Sequence, residues 1–350
     1  MAQRVSFDLT PEAEASKLQF LRRQFCVSPA PISRHDVDLA GKTAIVTGAN
    51  CGLGFECSRQ LLELGLTKLI LAVRDETKGE AARDLLMADV KPDTSQTIEV
   101  WKLDYASYDS ILAFAQRAEQ LSPRLDIAIL NAGVSRASFS LNPATGHEEN
   151  IQTNYLSSVL LLLLLVRIYK RAASTTDASH PAPGRIVLVS SDTAAWAKFA
   201  ERNKQPLLPA FDTKEAKFDR IERYATTKLL GQLFVAELAK RVPSSQVVVN
   251  CANPGLCYTN LQRDVGLSTD IATRILGRSA ANGARALLHA AVKQDETSHG
   301  QFVGDGKIKA MAPFVYSEQA APVAQRLWDE TLRELEFAGV HDALGSPIHD

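Results

Sequence analysis

Short apolar runs of strand length alternate along this chain with longer stretches whose apolar positions recur at helical spacing. The runs fall at 43–47, 68–73, 97–103, 126–131, 185–190, 246–252 and 301–303, with helical stretches between them. Strands joined through a helix must lie parallel, so the alternation predicts right-handed β-α-β units. The fold class expected is α/β, a single doubly wound domain with a mostly parallel seven-stranded sheet over residues 41–340. Residues 1–40 precede it as an extension that is helical in part, with a helix-like stretch from Pro11 to Phe25. The Ser-, Thr- and Pro-rich segment Ala172 to Gly184 reads as a surface loop.

Val159 to Val166 is the most apolar run, too short to span a bilayer, and Arg167, Lys170 and Arg171 follow at once. It reads as a helix buried on several sides. The first forty residues lack the compact apolar core of a signal peptide, and Pro347-Ile348-His349-Asp350 carries no lipidation or peroxisomal signal. A cytoplasmic protein without a transmembrane span is expected.

Composition narrows the partners. Thirty-nine Lys and Arg face 40 Asp and Glu, and no basic stripe offers itself to nucleic acid. The five cysteines, Cys26, Cys51, Cys57, Cys251 and Cys257, are odd in number and lack zinc-ligand spacing, so reduced thiols and no metal are expected.

Two motifs carry the chemistry. Thr47-Gly48-Ala49-Asn50-Cys51-Gly52-Leu53-Gly54 lies between the strand-like 42–46 and a helical stretch holding Leu61, Leu62 and Leu64. Strand, glycine turn and helix let backbone N–H groups and a helix N-terminus face a pyrophosphate. Far downstream, Tyr224 and Lys228 share one face of a helical stretch. An ammonium beside a phenol favours the phenolate and lowers its pKa, which suits proton transfer. The plainer readings are a tight turn without ligand and a solvated helix face.

The spacing G-x-x-x-G-x-G followed by Y-x-x-x-K resembles the short-chain dehydrogenase/reductase family, and other landmarks follow in order from about Leu39 to Phe302. Asp104 follows the third strand, Asn131-Ala132-Gly133 the fourth, and Ser190-Ser191 the fifth, while Asn154 opens the apolar helix. Pro254-Gly255 and Thr259 match P-G-x-x-x-T after the sixth.

The resemblance implies a Rossmann-type fold and a catalytic set of Asn154, Ser191, Tyr224 and Lys228. Tyr224 would exchange a proton with the substrate oxygen and Ser191, rather than Ser190, would hydrogen-bond it. Lys228 would lower the tyrosine pKa and hold the nicotinamide ribose, and Asn154 would fix a water behind Lys228. Cofactor contacts would come from Gly48, Asn50, Cys51, Gly52, Leu53, Gly54, Arg74, Asp104, Asn131, Ala132, Gly133, Tyr224, Lys228, Pro254, Gly255 and Thr259. The resemblance also puts the apolar helix of Val159–Val166 at a dimer interface, so a homodimer or homotetramer is an expectation.

Cofactor choice rests on the end of the second strand. A carboxylate there binds the ribose 2′-hydroxyl and repels a 2′-phosphate. Val73 occupies the acidic position and Arg74, whose fork suits a phosphate, comes next. NADP(H) is favoured over NAD(H), although a shift of two positions would make Asp75 the NAD-type carboxylate.

Two departures stand out. Ser191 and Tyr224 lie farther apart than in most members, because about 194–218 is inserted, with Trp196, Phe199, Phe211 and Phe218 among charges. An insertion at an active-site rim reads as a lid or substrate wall, or as a surface loop without a role. Leu130 stands where many relatives have a second asparagine. The insertion resembles retinol-dehydrogenase-like members, and together with the long N-terminus looks most like fungal reductases of natural-product pathways.

The loop at about 256–277, with Tyr258, Leu261, Val265, Leu267, Ile271 and Ile275, predicts a lipophilic small-molecule substrate. The expected activity is NADP(H)-dependent carbonyl–alcohol interconversion, a ketoreductase of secondary metabolism. Two alternatives stay open: a non-redox cyclisation, dehydration or epimerisation in the same site, and a dinucleotide-binding sensor without turnover.

Overall fold

The computed structural model of the protein describes residues 7–121, 124–174, 182–214, 217–259 and 276–344. Eight strands form one sheet: β1 (Thr43–Thr47), β2 (Lys68–Val73), β3 (Thr97–Lys102), β4 (Ile127–Leu130), β5 (Gly184–Val189), β6 (Val247–Asn253), β7 (Phe302–Gly304) and β8 (Lys307–Lys309). Their order is β3-β2-β1-β4-β5-β6-β7-β8, and every pairing is parallel except the last. Seven strands were expected. The eighth has only three residues, returning from β7 through Asp305-Gly306, both at positive φ (52° and 81°), as a two-residue hairpin turn requires.

The helices are α1 (Pro11–Glu14), α2 (Lys17–Cys26), α3 (Gly52–Glu63), α4 (Glu76–Val90), α5 (Tyr108–Ala118), α6 (Glu149–Ile151), α7 (Ser157–Ser174), α8 (Arg220–Leu238), α9 (Ala280–Leu288) and α10 (Ala320–Glu334). The strands alternate their side chains between two cores, as the pleat dictates. Ala44, Val46, Leu69, Leu71 and Val187 meet α3, α4 and α9 on one face. Ile45, Ile70, Ala128, Ile186 and Val249 meet α5, α7, α8 and α10 on the other.

The helix-like stretch expected from Pro11 to Phe25 is two helices, since Ser16 leaves helical geometry to N-cap α2. In α7, Val159 to Val166 are each at most 2% exposed within one chain. The long helix Glu149–Ala172 is apolar enough to cross a bilayer, yet 89% of its most apolar window is buried in the fold. The C-terminal segment meets this helix at both ends: Thr331 of α10 bonds Tyr155 at 2.7 Å, and Lys170 Nζ reaches the Ala343 carbonyl at 3.0 Å. Val159–Val166 thus belong to the core of this face of the sheet within a single chain.

The insertion turns inward. Phe199 and Phe211 stack within the core, each at most 1% exposed, and Glu330 of α10 accepts from the Leu207 and Leu208 N–H groups. Burial of large aromatics, each worth a few kcal/mol, fixes this segment as part of the domain. The apolar loop residues Leu261, Val265, Leu267, Ile271 and Ile275, and part of the 172–184 loop, lie outside the described residues.

Candidate active site

The order of strands reverses between β1 and β4, opening a crevice at their carboxyl ends where ligands of such sheets bind. The glycine turn lies there. Gly48 has φ of +64° and Gly52 of +59°, both in the left-handed region. A Cβ on Gly54 would sit 2.4 Å from the Gly48 carbonyl oxygen, so only glycine lets α3 approach the turn this closely. Cys51, the N-cap of α3, makes no side-chain cap bond, which leaves first-turn N–H groups available to an anion. A dinucleotide pyrophosphate fits this cradle.

The turn is held from β4. Asn131 Nδ2 donates to the Thr47 carbonyl at 2.9 Å, and the Ala132 N–H donates to Thr47 Oγ1 at 2.9 Å. Leu130, the departure before Asn131, is buried in β4 and leaves both bonds intact. Thr259 lies against Gly52, about 3.5 Å from where a Cβ there would be. Asp104, at the end of β3, accepts from the Ala106 N–H at 3.0 Å and closes the turn into α5.

Val73 is buried at the end of β2 and Arg74 is exposed beyond it. Asp75 is the N-cap of α4: its carboxylate accepts from the Lys78 N–H at 3.2 Å and pairs with the Lys78 ammonium at 3.4 Å.

Ser191 and the Tyr224–Lys228 face meet at the end of β5 despite the insertion between them. Asp219 caps α8 through the Ile221 and Glu222 N–H groups at 3.0 and 3.1 Å, which sets the rotation of the helix. The Lys228 ammonium lies 5.5 Å from the Tyr224 ring centre and donates to the Val189 carbonyl at 2.8 Å. The Ser191 hydroxyl acts on the Tyr224 phenol, favouring its ionised form, and accepts from Thr193 Oγ1 at 3.0 Å. Ser190 instead turns to α8 and accepts from Gln232 at 3.2 Å.

The electrostatics differ from the simple expectation of a lowered phenol. Burial pushes the Tyr224 pKa up to about 12, with the Ser191 hydrogen bond pulling the other way. Burial also brings Lys228 down to about 8. Desolvation thus dominates both groups.

Asn154 lies in a π-helical turn, Gln152–Leu156, between α6 and α7. Its amide accepts from the Val134 N–H at 2.8 Å and donates to the Val134 carbonyl at 2.9 Å and to Thr227 at 3.2 Å. A Cβ on Gly133 would come within 3.1 Å of Asn154 Oδ1 and 3.9 Å of Lys228 Nζ, so glycine keeps that gap open. Thr47 enters the sequence reading only as the first residue of the glycine motif and Thr227 not at all, yet each ties two motifs together. Their only signal was adjacency to Gly48 and Lys228.

The short chain dehydrogenase family profile matches residues 42–201. A short-chain dehydrogenase of Aspergillus ruber, fogG, is 48% identical over 98% of this chain and 99% of its own length. The protein belongs to the short-chain dehydrogenase family. A second fungal member, the short chain dehydrogenase/reductase mfmJ of Annulohypoxylon moriforme, is 41% identical over 94% of each chain. Among solved structures, a short-chain dehydrogenase of Sphingobium yanoikuyae in complex with NADPH shares the fold with TM-score 0.53 and 20% identity over 71% of this chain and 82% of that one. Family membership identifies an oxidoreductase that binds a nicotinamide dinucleotide.

Proposed function

We propose that this oxidoreductase is NADP(H)-dependent and interconverts a carbonyl and an alcohol on a lipophilic small molecule, as a cytoplasmic ketoreductase of secondary metabolism. The observation that carries the reading is the meeting of Ser191, Tyr224 and Lys228 beside the glycine cradle. Fungal relatives of nearly full length support the pathway class. The NADP(H) preference rests on exposed Arg74 and on the engagement of Asp75 as a helix cap.

Gly48, Gly52, Gly54 and the α3 N-terminus would hold the pyrophosphate, Arg74 the 2′-phosphate, and Lys228 the nicotinamide ribose. When bound, the reduced nicotinamide supplies a hydride. Ser191 orients the substrate oxygen and donates a hydrogen bond that strengthens as negative charge grows there. Tyr224 passes its phenolic proton to that oxygen in reduction and accepts one in oxidation. A phenol whose pKa lies near 12 is fully protonated at neutral pH, which suits the reductive direction.

The test is fluorescence titration of the purified protein with NADPH and NADH, followed by a panel of lipophilic ketones, aldehydes and secondary alcohols. Wild type and Tyr224→Phe should both bind NADPH, and only wild type should oxidise it with a carbonyl. Failure to bind either nucleotide overturns the reading.

A further inference from the structure

In helix α2 the two buried side chains are polar, while three large apolar ones are exposed. Arg23 and Gln24 are 5% and 7% exposed, whereas Leu18, Leu21 and Phe25 are 79%, 46% and 58% exposed. Packing alone would choose the opposite arrangement, so the buried pair must be held by specific contacts.

Those contacts lead to the active site. Arg23 Nη2 donates to Asp192, the residue after Ser191, at 2.6 Å, and Arg23 Nη1 pairs with Glu14. Asp305, in the β7–β8 turn, lies 3.8 Å from Arg23 Nε and pairs with Arg278 at 2.8 Å and Lys309 at 2.9 Å. Three cations and three carboxylates thus balance in one cluster whose side chains are all at most 16% exposed. Loss of one member leaves an uncompensated buried charge.

Gln24 has a different target. Its amide donates to the Leu256 and Leu276 carbonyls at 2.9 and 2.8 Å and accepts from the Leu256 N–H at 3.1 Å. Gly255 (φ +77°) is wedged against it, since a Cβ there would lie 3.2 Å from Gln24 Oε1 and 2.9 Å from Arg278 Nη1. Arg278 in turn donates to the Val27 carbonyl at 2.9 Å, and Trp196 Nε1 donates to the Ala15 carbonyl at 2.7 Å. Glu14, Ala15, Arg23, Ser191 and Asp192 line one small cavity of about 20 Å³.

We propose that the N-terminal segment Pro11–Val27 is an inner wall of the active site, in which Arg23 and Gln24 are positioning residues: Arg23 sets Ser191 through Asp192, and Gln24 sets the backbone that leaves β6 at Gly255-Leu256. The inference rests on the reading of Ser191 as the group that meets the substrate oxygen. Arg23 acts on Ser191 and not on the glycine cradle, so its effect falls on turnover rather than on nucleotide affinity, whereas Gln24 acts on the segment of Gly255 and Thr259 and should affect both.

The test uses the full chain with Arg23→Gln, Asp192→Asn, the double variant Arg23→Gln/Asp192→Asn, and the milder Gln24→Ala. Menadione and an aromatic ketone serve as carbonyl probes. Arg23→Gln should lower kcat about 10- to 100-fold, as a displaced orienting group does, while NADPH affinity stays within about twofold. The double variant, which restores a charge-balanced hydrogen-bonded pair, should recover most of the loss. Hydrogen–deuterium exchange without substrate gives an independent readout: Arg23→Gln should speed exchange at 190–196, and Gln24→Ala at 253–259. Wild-type exchange in both segments, in variants that melt cooperatively, overturns the inference whatever the turnover. If wild type binds NADPH but reduces no probe, the proposed carbonyl chemistry fails, and the exchange data still decide whether α2 holds these segments.

Discussion

The Lys228 ammonium donates to the carbonyl oxygen of Val189 at 2.8 Å, so the lysine of α8 is tied to the strand that delivers Ser191. One bond thereby couples the positions of two groups that must act on one substrate. It also explains why a buried ammonium is tolerated, since a desolvated charge needs at least one strong acceptor.

Burial holds the Lys228 pKa at about 8, against 10.5 for an ordinary lysine. In the free protein the ammonium is therefore lost as pH rises through about 8. If Lys228 holds the nicotinamide ribose, NADPH affinity should weaken roughly fivefold across that rise, because a charged hydrogen bond exceeds a neutral one by about 1 kcal/mol. Fluorescence titration from pH 6.5 to 9.5 checks this. A Lys228→Met protein should bind more weakly throughout and lack this component of the pH dependence.

Arg74 extends from the end of β2 as an exposed side chain, next to an Asp75 already engaged with α4. Arg74→Ala should weaken NADPH binding about 10- to 100-fold, the value of a charge-assisted contact of about 1.5–3 kcal/mol. NADH binding should stay nearly unchanged. Equal losses for both nucleotides would assign Arg74 to something other than the 2′-phosphate.

Gly54→Ala tests the cradle. The new Cβ would lie 2.4 Å from a backbone oxygen of Gly48, which cannot swing away as a side chain could. Either α3 or the turn must shift, and NADPH affinity should fall at least about tenfold, corresponding to about 1.4 kcal/mol. Tight binding by this variant would mean that the close approach is not needed for the nucleotide.

His147 should make stability depend on pH. Its ring contacts Asp212 of the insertion at 2.9 Å and Glu334 of α10 at 3.0 Å, and these carboxylates raise its pKa to about 9 against the burial that opposes them. The folded pKa exceeds the unfolded one near 6.5, so the contribution is complete below pH 6.5 and lost as pH rises through about 9. It is on the order of 3 kcal/mol. The gap in melting temperature between wild type and His147→Gln should be widest at pH 6 and nearly closed at pH 10. A gap that does not narrow would show that His147 acts through packing alone.

Much of this molecule is local in origin. The seven parallel strands, the glycine turn and the Tyr224–Lys228 face follow from periodicity, from left-handed φ at Gly48 and Gly52, and from the geometry of four residues on a helix. The chain order of β1, Gly48 and α3 sufficed to foresee the cradle, because its parts are neighbours in sequence. The tertiary structure decided what distance along the chain conceals. The inward fold of the insertion depends on Phe199 and Phe211 meeting a core that includes α10, far downstream. The C-terminal segment that ties down the two ends of the long apolar helix, at Tyr155 and Lys170, carries no sequence mark of its destination. The rise in the Tyr224 pKa, where a lysine neighbour argued for a fall, depends on desolvation by surroundings that no single motif encodes. Likewise nothing in the sequence singles out Arg23 and Gln24, which gain their partners only when Asp192 and Leu256 are brought against them. Periodicity and local sterics act over a few residues and can be read from the chain. Burial and long-range charge pairing arise only when the whole chain is packed.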